Sequence, residues 1–141
     1  MPSLIIKTYQ QKKSYNGNQI FILNKGMNSG KPQKKPFTNS FVINFANPRE
    51  AESIYWLAYS LWKAEFWHQS LCGSVIPFLR IKEFKKEFIS KVTEMLQDHE
   101  QHKNQIQALR LLELQETQFR KNILLINEMR RVILQRYCKK L

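Results

Sequence analysis

Apolar and polar residues alternate in the first third of the chain in a pattern typical of β-strands. The segments "LIIKTY" (4–9) and "QIFILN" (19–24) are short runs rich in β-branched and aromatic residues. Between them, "SYNGNQ" contains an Asn-Gly pair, which suits a two-residue hairpin turn. In "FTNSFVINF" (37–45), the phenylalanines and Ile43 share one side of a period-two pattern. The pattern predicts a β-hairpin followed by a third strand.

A helical pattern begins after this third strand. Asn47 can cap the helix, Pro48 fits its first position, and Glu50 can return the capping bond. The residues that follow are apolar around most of the helical circumference and include all three tryptophans, Trp56, Trp62 and Trp67. We therefore predict a core helix over 48–71 that other elements cover on several sides.

The chain changes character again at "CGSVIPFLRI". Gly73 is a helix stop and Pro77 excludes a central strand, so 74–81 is predicted to be an edge strand or an extended crossing segment. From Lys82 onward the sequence has no Gly or Pro. A single straight helix of that length would extend roughly 90 Å. The polar run 97–105 interrupts the apolar pattern, and it predicts a bend between two helical arms.

The second arm carries a broad apolar stripe, in which four residues recur at intervals of seven and four others flank them. We call these eight residues the C-terminal stripe: Leu112, Phe119, Ile126 and Ile133, with Leu109, Ile123, Met129 and Tyr137. The width favours packing on the protein's own core. The alternative is self-association or binding of a protein partner through the stripe.

These elements predict an α+β fold. It consists of a small antiparallel sheet of about three strands packed on an aromatic-rich helix, followed by a long C-terminal helical hairpin. Residues 1–81 would form the α+β domain. Residues 82–141 would form a helical hairpin, or long helices packed on that domain.

The charge of the chain indicates what kind of partner it binds. The chain has 23 Lys and Arg against 11 Asp and Glu, a net charge of +12, and residues 1–49 contain eight basic residues and no acidic one. Such an excess attracts polyanions, so we expect a partner that is nucleic acid, DNA or RNA, or a nucleoprotein complex. No apolar run is long enough to span a membrane or to form a signal peptide, which favours a cytoplasmic protein without membrane association.

The stretch "NKGMNSGKPQKKP" (24–36) resembles a phosphate-binding loop, but three features oppose an NTPase. Three residues instead of four separate Gly26 from Gly30, Pro32 replaces the required hydroxyl, and no helix follows directly. We interpret the stretch as an anion-contacting loop; the alternative is a solvated connection. The predicted nucleic-acid-binding residues are Lys12, Lys13, Lys25, Lys31, Lys34 and Lys35, with a second patch of Arg130, Arg131 and Arg136.

The sequence contains only weak signals for a catalytic or metal-binding site. Asp98 is the sole aspartate, and His99 and His102 lack the spacing of a zinc helix. Cys72 follows a helix end, where the negative dipole opposes a reactive thiolate. We therefore expect no enzyme activity, no catalytic residue, no metal and no cofactor. Exposed aromatic rings could stack on bases, with Tyr9 and Tyr15 better placed than Phe21, Phe37, Phe41 and Phe45.

Four strings taken together, "NKGMNSGKP", "NSFV", "YWLAYSLW" and "GSVIPFLRI", carry a resemblance that covers nearly the whole chain. They resemble a family of small proteins of unknown function encoded on bacterial mobile genetic elements. The resemblance implies a bacterial or phage host and a setting of DNA transfer, replication or conflict with host defences. It supplies no catalytic residue.

Overall fold

The computed structural model describes residues 4–11 and 18–139, and it confirms the α+β class. The described elements are β1 (Leu4–Thr8), β2 (Gln19–Leu23), β3 (Pro32–Gln33), β4 (Ser40–Phe45), α1 (Pro48–Lys63), a 3-10 helix (Phe66–Ser70), α2 (Ile81–Gln97) and α3 (His99–Cys138). The chain divides into two compact units between His99 and Glu100. Helix α2 therefore belongs to the unit that contains the sheet.

The four strands form one antiparallel sheet in the order β1-β4-β2-β3. The predicted third strand is β4, and it lies at the centre: Ile43 pairs with Ile6 of β1 on one side and with Ile20 of β2 on the other. Five of its six residues are buried. The two-residue strand β3 was not predicted, and its Pro32 is tolerated because β3 lies at the sheet edge.

The predicted hairpin between 4–9 and 19–24 is wrong. Both β1 and β2 run antiparallel to β4, so they run in the same direction, and a two-residue turn that reverses the chain cannot join them. The Asn-Gly pair on which the prediction depended lies outside the described residues. The almost continuously apolar β4 takes the centre, whereas β1 exposes Ile5 and Lys7 and suits an edge.

One face of the sheet and the helices form the core. The strand residues of this core pack with Ile54 and Ala58 of α1 and with a row on α2; they are Ile6 of β1, Ile20 and Ile22 of β2, and Phe41, Ile43 and Phe45 of β4. That row, Phe84, Phe88, Val92 and Met95, follows helical spacing and is buried along its length. The Phe84 ring joins the layers, with its centroid 5.1 Å from Phe41 and 4.9 Å from Trp67.

Helix α1 begins as predicted and ends earlier. The Asn47 carboxamide accepts a hydrogen bond of 3.0 Å from the Arg49 amide, and Pro48 takes the first helical position. The helix stops at Lys63 rather than near residue 71, because Glu65 adopts the left-handed backbone region with φ 58°. This turn starts the 3-10 helix and directs Trp67 into the core, where it is 1% exposed.

Helix α1 is covered along most of its length, since residues 53–62 are all buried or of intermediate exposure. The helix buries Ile54 and Ala58 completely, and these lie on the face toward the sheet. Its aromatic residues Tyr55, Trp56, Tyr59 and Trp62 are partly exposed. Of these aromatic residues, Tyr55 also packs against the core, as do Leu57 and Leu61.

Residues 72–79 form a loop closed by backbone hydrogen bonds instead of a sheet strand. Cys72 and Phe78 exchange two bonds of 2.9 Å, and Phe78 also bridges to Lys25. Gly73, with φ 94°, permits the turn. The exposed Val75 and Ile76 form its tip.

Helix α2 ends at Gln97 and Asp98 interrupts the helical chain, inside the predicted bend. From His99 the chain is one helix of 40 residues. In the C-terminal stripe, Leu112, Phe119, Ile126 and Ile133 are 52 to 62% exposed. Among the described residues, no helix is long and apolar enough to cross a membrane.

Candidate nucleic-acid interface

The lysine-rich loop between β2 and β3 is held by its own backbone. The Ser29 hydroxyl donates to the Gly26 carbonyl at 2.6 Å, and the Gly30 amide donates to the Leu23 carbonyl at 2.7 Å. Gly26 and Gly30 have φ of 86° and 98°, values that glycine adopts without strain. The Leu23 amide in turn donates to the Lys31 carbonyl at 3.0 Å. The loop is therefore a defined turn that presents its side chains from a fixed backbone.

The amides of this loop are largely occupied. The Gly26 amide donates to the Pro77 carbonyl at 2.7 Å, Ser29 to Gly26 at 3.2 Å and Lys31 to Asn28 at 3.0 Å. A nucleotide-binding loop offers such amides to the phosphates. Here the lysine side chains are the groups that can meet an anion, in agreement with the motif's departure from the phosphate-loop spacing.

An aromatic ladder runs along α1 beside the face of Ile54 and Ala58, and we give this name to Tyr55, Trp56, Tyr59 and Trp62. Successive rings meet edge to face, with centroid distances of 5.9, 5.2 and 5.8 Å. Such T-shaped contacts are the favoured geometry for neighbouring rings and fix their orientation. The four residues are of intermediate exposure, so each keeps part of its surface accessible to solvent.

Three lysines lie over the rings of the ladder. Lys31 Nζ is 5.2 Å from the Trp62 ring, and Lys34 Nζ is 5.3 Å from Tyr55. Lys63, at the end of α1, lies 5.2 Å from Trp62 and 5.7 Å from Tyr59. These cation–π contacts join the loop to the helix, although the two segments are separated in sequence by β4. Loop and ladder form one surface, which we call the lysine–aromatic face.

The positive charge of this face is not neutralised locally. Within the described residues, neither the four lysines of the stretch 24–36 nor the helix residue Lys63 forms an ion pair. We call these four, Lys25 and Lys31 of the loop with Lys34 and Lys35 directly after β3, the loop lysines. Lys34, Lys35 and Lys63 are exposed. Uncompensated ammonium groups beside partly exposed aromatic rings are the combination found in proteins that bind single-stranded nucleic acid.

The other predicted binding residues do not join this face. Lys12 and Lys13 lie outside the described residues. Arg130, Arg131 and Arg136 lie on α3, in the second unit. Arg131 already forms an ion pair of 2.8 Å with Glu128, and Arg130 donates to Asn127 at 3.3 Å. The second basic patch is therefore partly engaged within its own helix.

The phenylalanines considered for base stacking are mostly unavailable. Phe21, Phe41 and Phe45 are at most 8% exposed, whereas Phe37 is 44% exposed. Tyr9 packs edge to face on Phe21 with a centroid distance of 6.1 Å, and Tyr15 lies outside the described residues. Sequence analysis missed the aromatic ladder. A helical-wheel projection that separates aromatic from aliphatic positions in "SIYWLAYSLWK" would have placed it beside, rather than on, the face of Ile54 and Ala58.

The histidines and cysteines form no cluster in the described part of the chain. There, no three His, Cys, Asp or Glu side chains lie where they could hold one metal ion. Cys72 is half-buried, and its thiol donates to the Ser70 carbonyl at 3.7 Å. His68 lies 3.8 Å from Glu65.

A family model matches residues 6–136, which include both the lysine–aromatic face and most of α3. The chain belongs to the family of unknown function DUF6943. This family membership agrees with the resemblance to a family of unknown function. Comparisons with curated proteins and with solved structures gave no match.

Proposed function

We propose that this protein binds nucleic acid without catalysis, and that single strands are the form it prefers. The observation that carries the proposal is the aromatic ladder with Lys31, Lys34 and Lys63 over its rings. Bases of a single strand can stack on exposed rings while lysines contact the phosphates, and the bases of a duplex are not free to do so. A sequence-tolerant accessory protein is the function that this chemistry favours.

The energetics of the face are compatible with exchange of its internal contacts for a ligand. An exposed cation–π contact contributes about 0.5–1 kcal/mol. Stacking of one base on an aromatic ring contributes about 1–3 kcal/mol. A strand can therefore move a lysine from the ring to a phosphate with a net gain in free energy.

The proposal extends to the cellular setting in which the protein acts. Net charge of +12 and the resemblance to proteins of bacterial mobile elements support a role in the bacterial cytoplasm, in DNA transfer, replication or conflict with host defences. A nucleoprotein complex would offer the same phosphates as free nucleic acid, so it remains within this partner class.

The test is fluorescence anisotropy with labelled single-stranded DNA, duplex DNA and RNA, titrated over a range of salt concentrations. We expect the triple variant Lys31→Ala, Lys34→Ala and Lys35→Ala to weaken binding to all sequences. Loss of three phosphate contacts on a single strand should reduce the slope of log K against log salt by about 2.

The matched control removes the same charge elsewhere in the sheet unit. Lys82, Lys85 and Lys86 are exposed on α2, and their triple alanine variant should leave the slope nearly unchanged. Equal effects of the two triple variants would mean that overall charge, not the loop, governs binding. No binding to any of the three nucleic acids at moderate salt would reject the proposed function.

The exposed C-terminal stripe supports a second candidate function, protein binding. In this function the chain is an accessory or inhibitory module that docks through α3, for example in a defence or mobile-element complex. Substitutions in the stripe would then abolish activity, and loss of the loop lysines would have little effect. The two functions are separable because loop and stripe belong to different units.

A further inference from the structure

Helix α3 exposes far more apolar surface than a helix in water tolerates. Thirteen of its large apolar side chains, from Leu111 to Tyr137, are at least 49% exposed. Exposed apolar surface of this extent marks an interaction site. The charges and spacing along the helix indicate what covers it.

The available area is that of a stable interface. Nine exposed side chains lie on one half of the helix surface: the C-terminal stripe without Leu109, together with Leu111 and Leu134. At about 80 Å² removed from water for each half-exposed side chain, they supply about 700 Å² per copy. A standard interface buries about 800 Å² per partner, so two copies of this helix supply nearly enough area for one.

A row of residues seven apart runs through the stripe and is symmetric in its chemistry. In order, it consists of Leu109, Glu116, Ile123, Arg130 and Tyr137. Ile123 is the midpoint, with an acidic residue seven positions before it and a basic residue seven positions after it. Apolar residues stand at both ends.

This row discriminates between the two ways of pairing identical helices. In a parallel, in-register pair, Glu116 would face Glu116 of the second copy and Arg130 would face Arg130, and facing like charges are unfavourable. In an antiparallel pair with its twofold axis at Ile123, each Glu116 faces Arg130 of the second copy. The apolar residues then face one another at the centre and at both ends.

We propose that the protein forms a homodimer through α3, with the two helices antiparallel and the twofold axis at Ile123. The association uses the same stripe as the second proposed function, with a second copy of the chain as the partner, and does not depend on the loop lysines. The contacts that Glu116 and Arg130 now make are local: Glu116 accepts from Arg120 at 2.6 Å, and Arg130 donates to Asn127. Both are exposed contacts within one helix and contribute little, so pairing between copies can replace them.

The test is sedimentation equilibrium of the full chain under reducing conditions without nucleic acid. We expect a dimer of twice 16.9 kDa. The single variants Glu116→Arg and Arg130→Glu each place like charges together at two symmetric positions, so each should raise the dissociation constant about tenfold. The double variant restores opposite charges and should return to the wild-type constant.

A parallel pair would respond differently, because each single variant would only replace one like-charged pair by another. Equal dissociation constants for wild type, single and double variants would therefore overturn the antiparallel arrangement. A monomer at the highest concentrations would overturn dimerisation and assign the stripe to a different protein. Circular dichroism of each variant verifies that the exposed substitutions leave the helix content intact. Nucleic-acid binding, measured separately, has no bearing on these outcomes.

Discussion

Gly30 is the residue that connects the lysine-rich loop to the core. A Cβ atom at this position would lie 2.1 Å from Trp67 Cδ1, and its φ of 98° is unfavourable for any side chain. Trp67 in turn contacts Phe66 and Phe84 at centroid distances of 5.0 and 4.9 Å. The backbone of the loop thus packs directly on the most buried tryptophan of the protein.

We expect Gly30→Ala to lower the free energy of unfolding by about 2–5 kcal/mol, because steric overlap in the core adds to backbone strain. Gly26→Ala is the matched control: its φ of 86° is also positive, but nothing lies within 4 Å of the added atom. Strain alone should cost about 1 kcal/mol there. Urea denaturation of both variants measures the difference. Equal losses of stability would contradict close packing of the loop on Trp67.

At the scale of elements, α1 has two different faces. Aliphatic Ile54 and Ala58 attach it to the sheet, and the aromatic ladder on the adjacent side faces the lysines. Trp62 is the ring with the most contacts to this charge, since both Lys31 and Lys63 lie over it. The helix therefore connects the core to the proposed binding surface.

We expect Trp62→Ala to weaken binding of a single-stranded oligonucleotide by about 1–3 kcal/mol, the usual contribution of one stacked base. Phe37→Ala provides the comparison, because Phe37 is an exposed ring outside the ladder. Fluorescence anisotropy with wild type and both variants at one salt concentration measures the effect. If Trp62→Ala binds as tightly as wild type, the ladder is not the stacking surface.

Local signals in the sequence located most elements. The cap at Asn47, the period-two pattern of β4 and the break near Asp98 depend on neighbouring residues, and all three agree with the structure. The predicted strand order was wrong because β1 pairs with β4 across more than 30 positions of the sequence. A local turn motif does not encode pairing at that separation. The predicted end of α1 was wrong because Glu65, which is not a typical helix-terminating residue, adopts φ 58° so that Trp67 can reach the core.

The candidate site was predictable in part for a similar reason. Lys31 and Lys34 could be identified from charge alone. Their contacts with Trp62 and Tyr55 could not, because the pairs come together through the fold of loop and helix. Tryptophan in an apolar segment is more often buried than exposed, and this general tendency concealed the ladder.

At the scale of the whole molecule, the two units carry two different surfaces. The sheet unit contains the lysine–aromatic face, and the second unit contains the exposed C-terminal stripe. A homodimer through α3 would carry two lysine–aromatic faces. Two linked sites on one strand bind more tightly than either alone when the strand can reach both, which would suit a protein that coats nucleic acid.

The two units also provide separate spectroscopic signals. All three tryptophans lie in the sheet unit, so tryptophan fluorescence reports its unfolding. Helix α3 has 40 residues, against 16 in α1 and 17 in α2, so α3 contributes more than half of the helical ellipticity at 222 nm. The stability of an association-dependent element rises with protein concentration, whereas that of a self-contained core does not.

We therefore expect thermal unfolding followed at 222 nm to shift upward by several degrees when protein concentration increases a hundredfold, because mass action adds about 2.7 kcal/mol to the dimer. Tryptophan fluorescence should show a midpoint nearly independent of concentration. The variant Glu116→Arg supplies the control, since a weakened dimer should lower the 222 nm midpoint at every concentration and leave the fluorescence midpoint in place. Coincident transitions at all concentrations would instead indicate one cooperative unit, in which α3 owes its stability to its own chain.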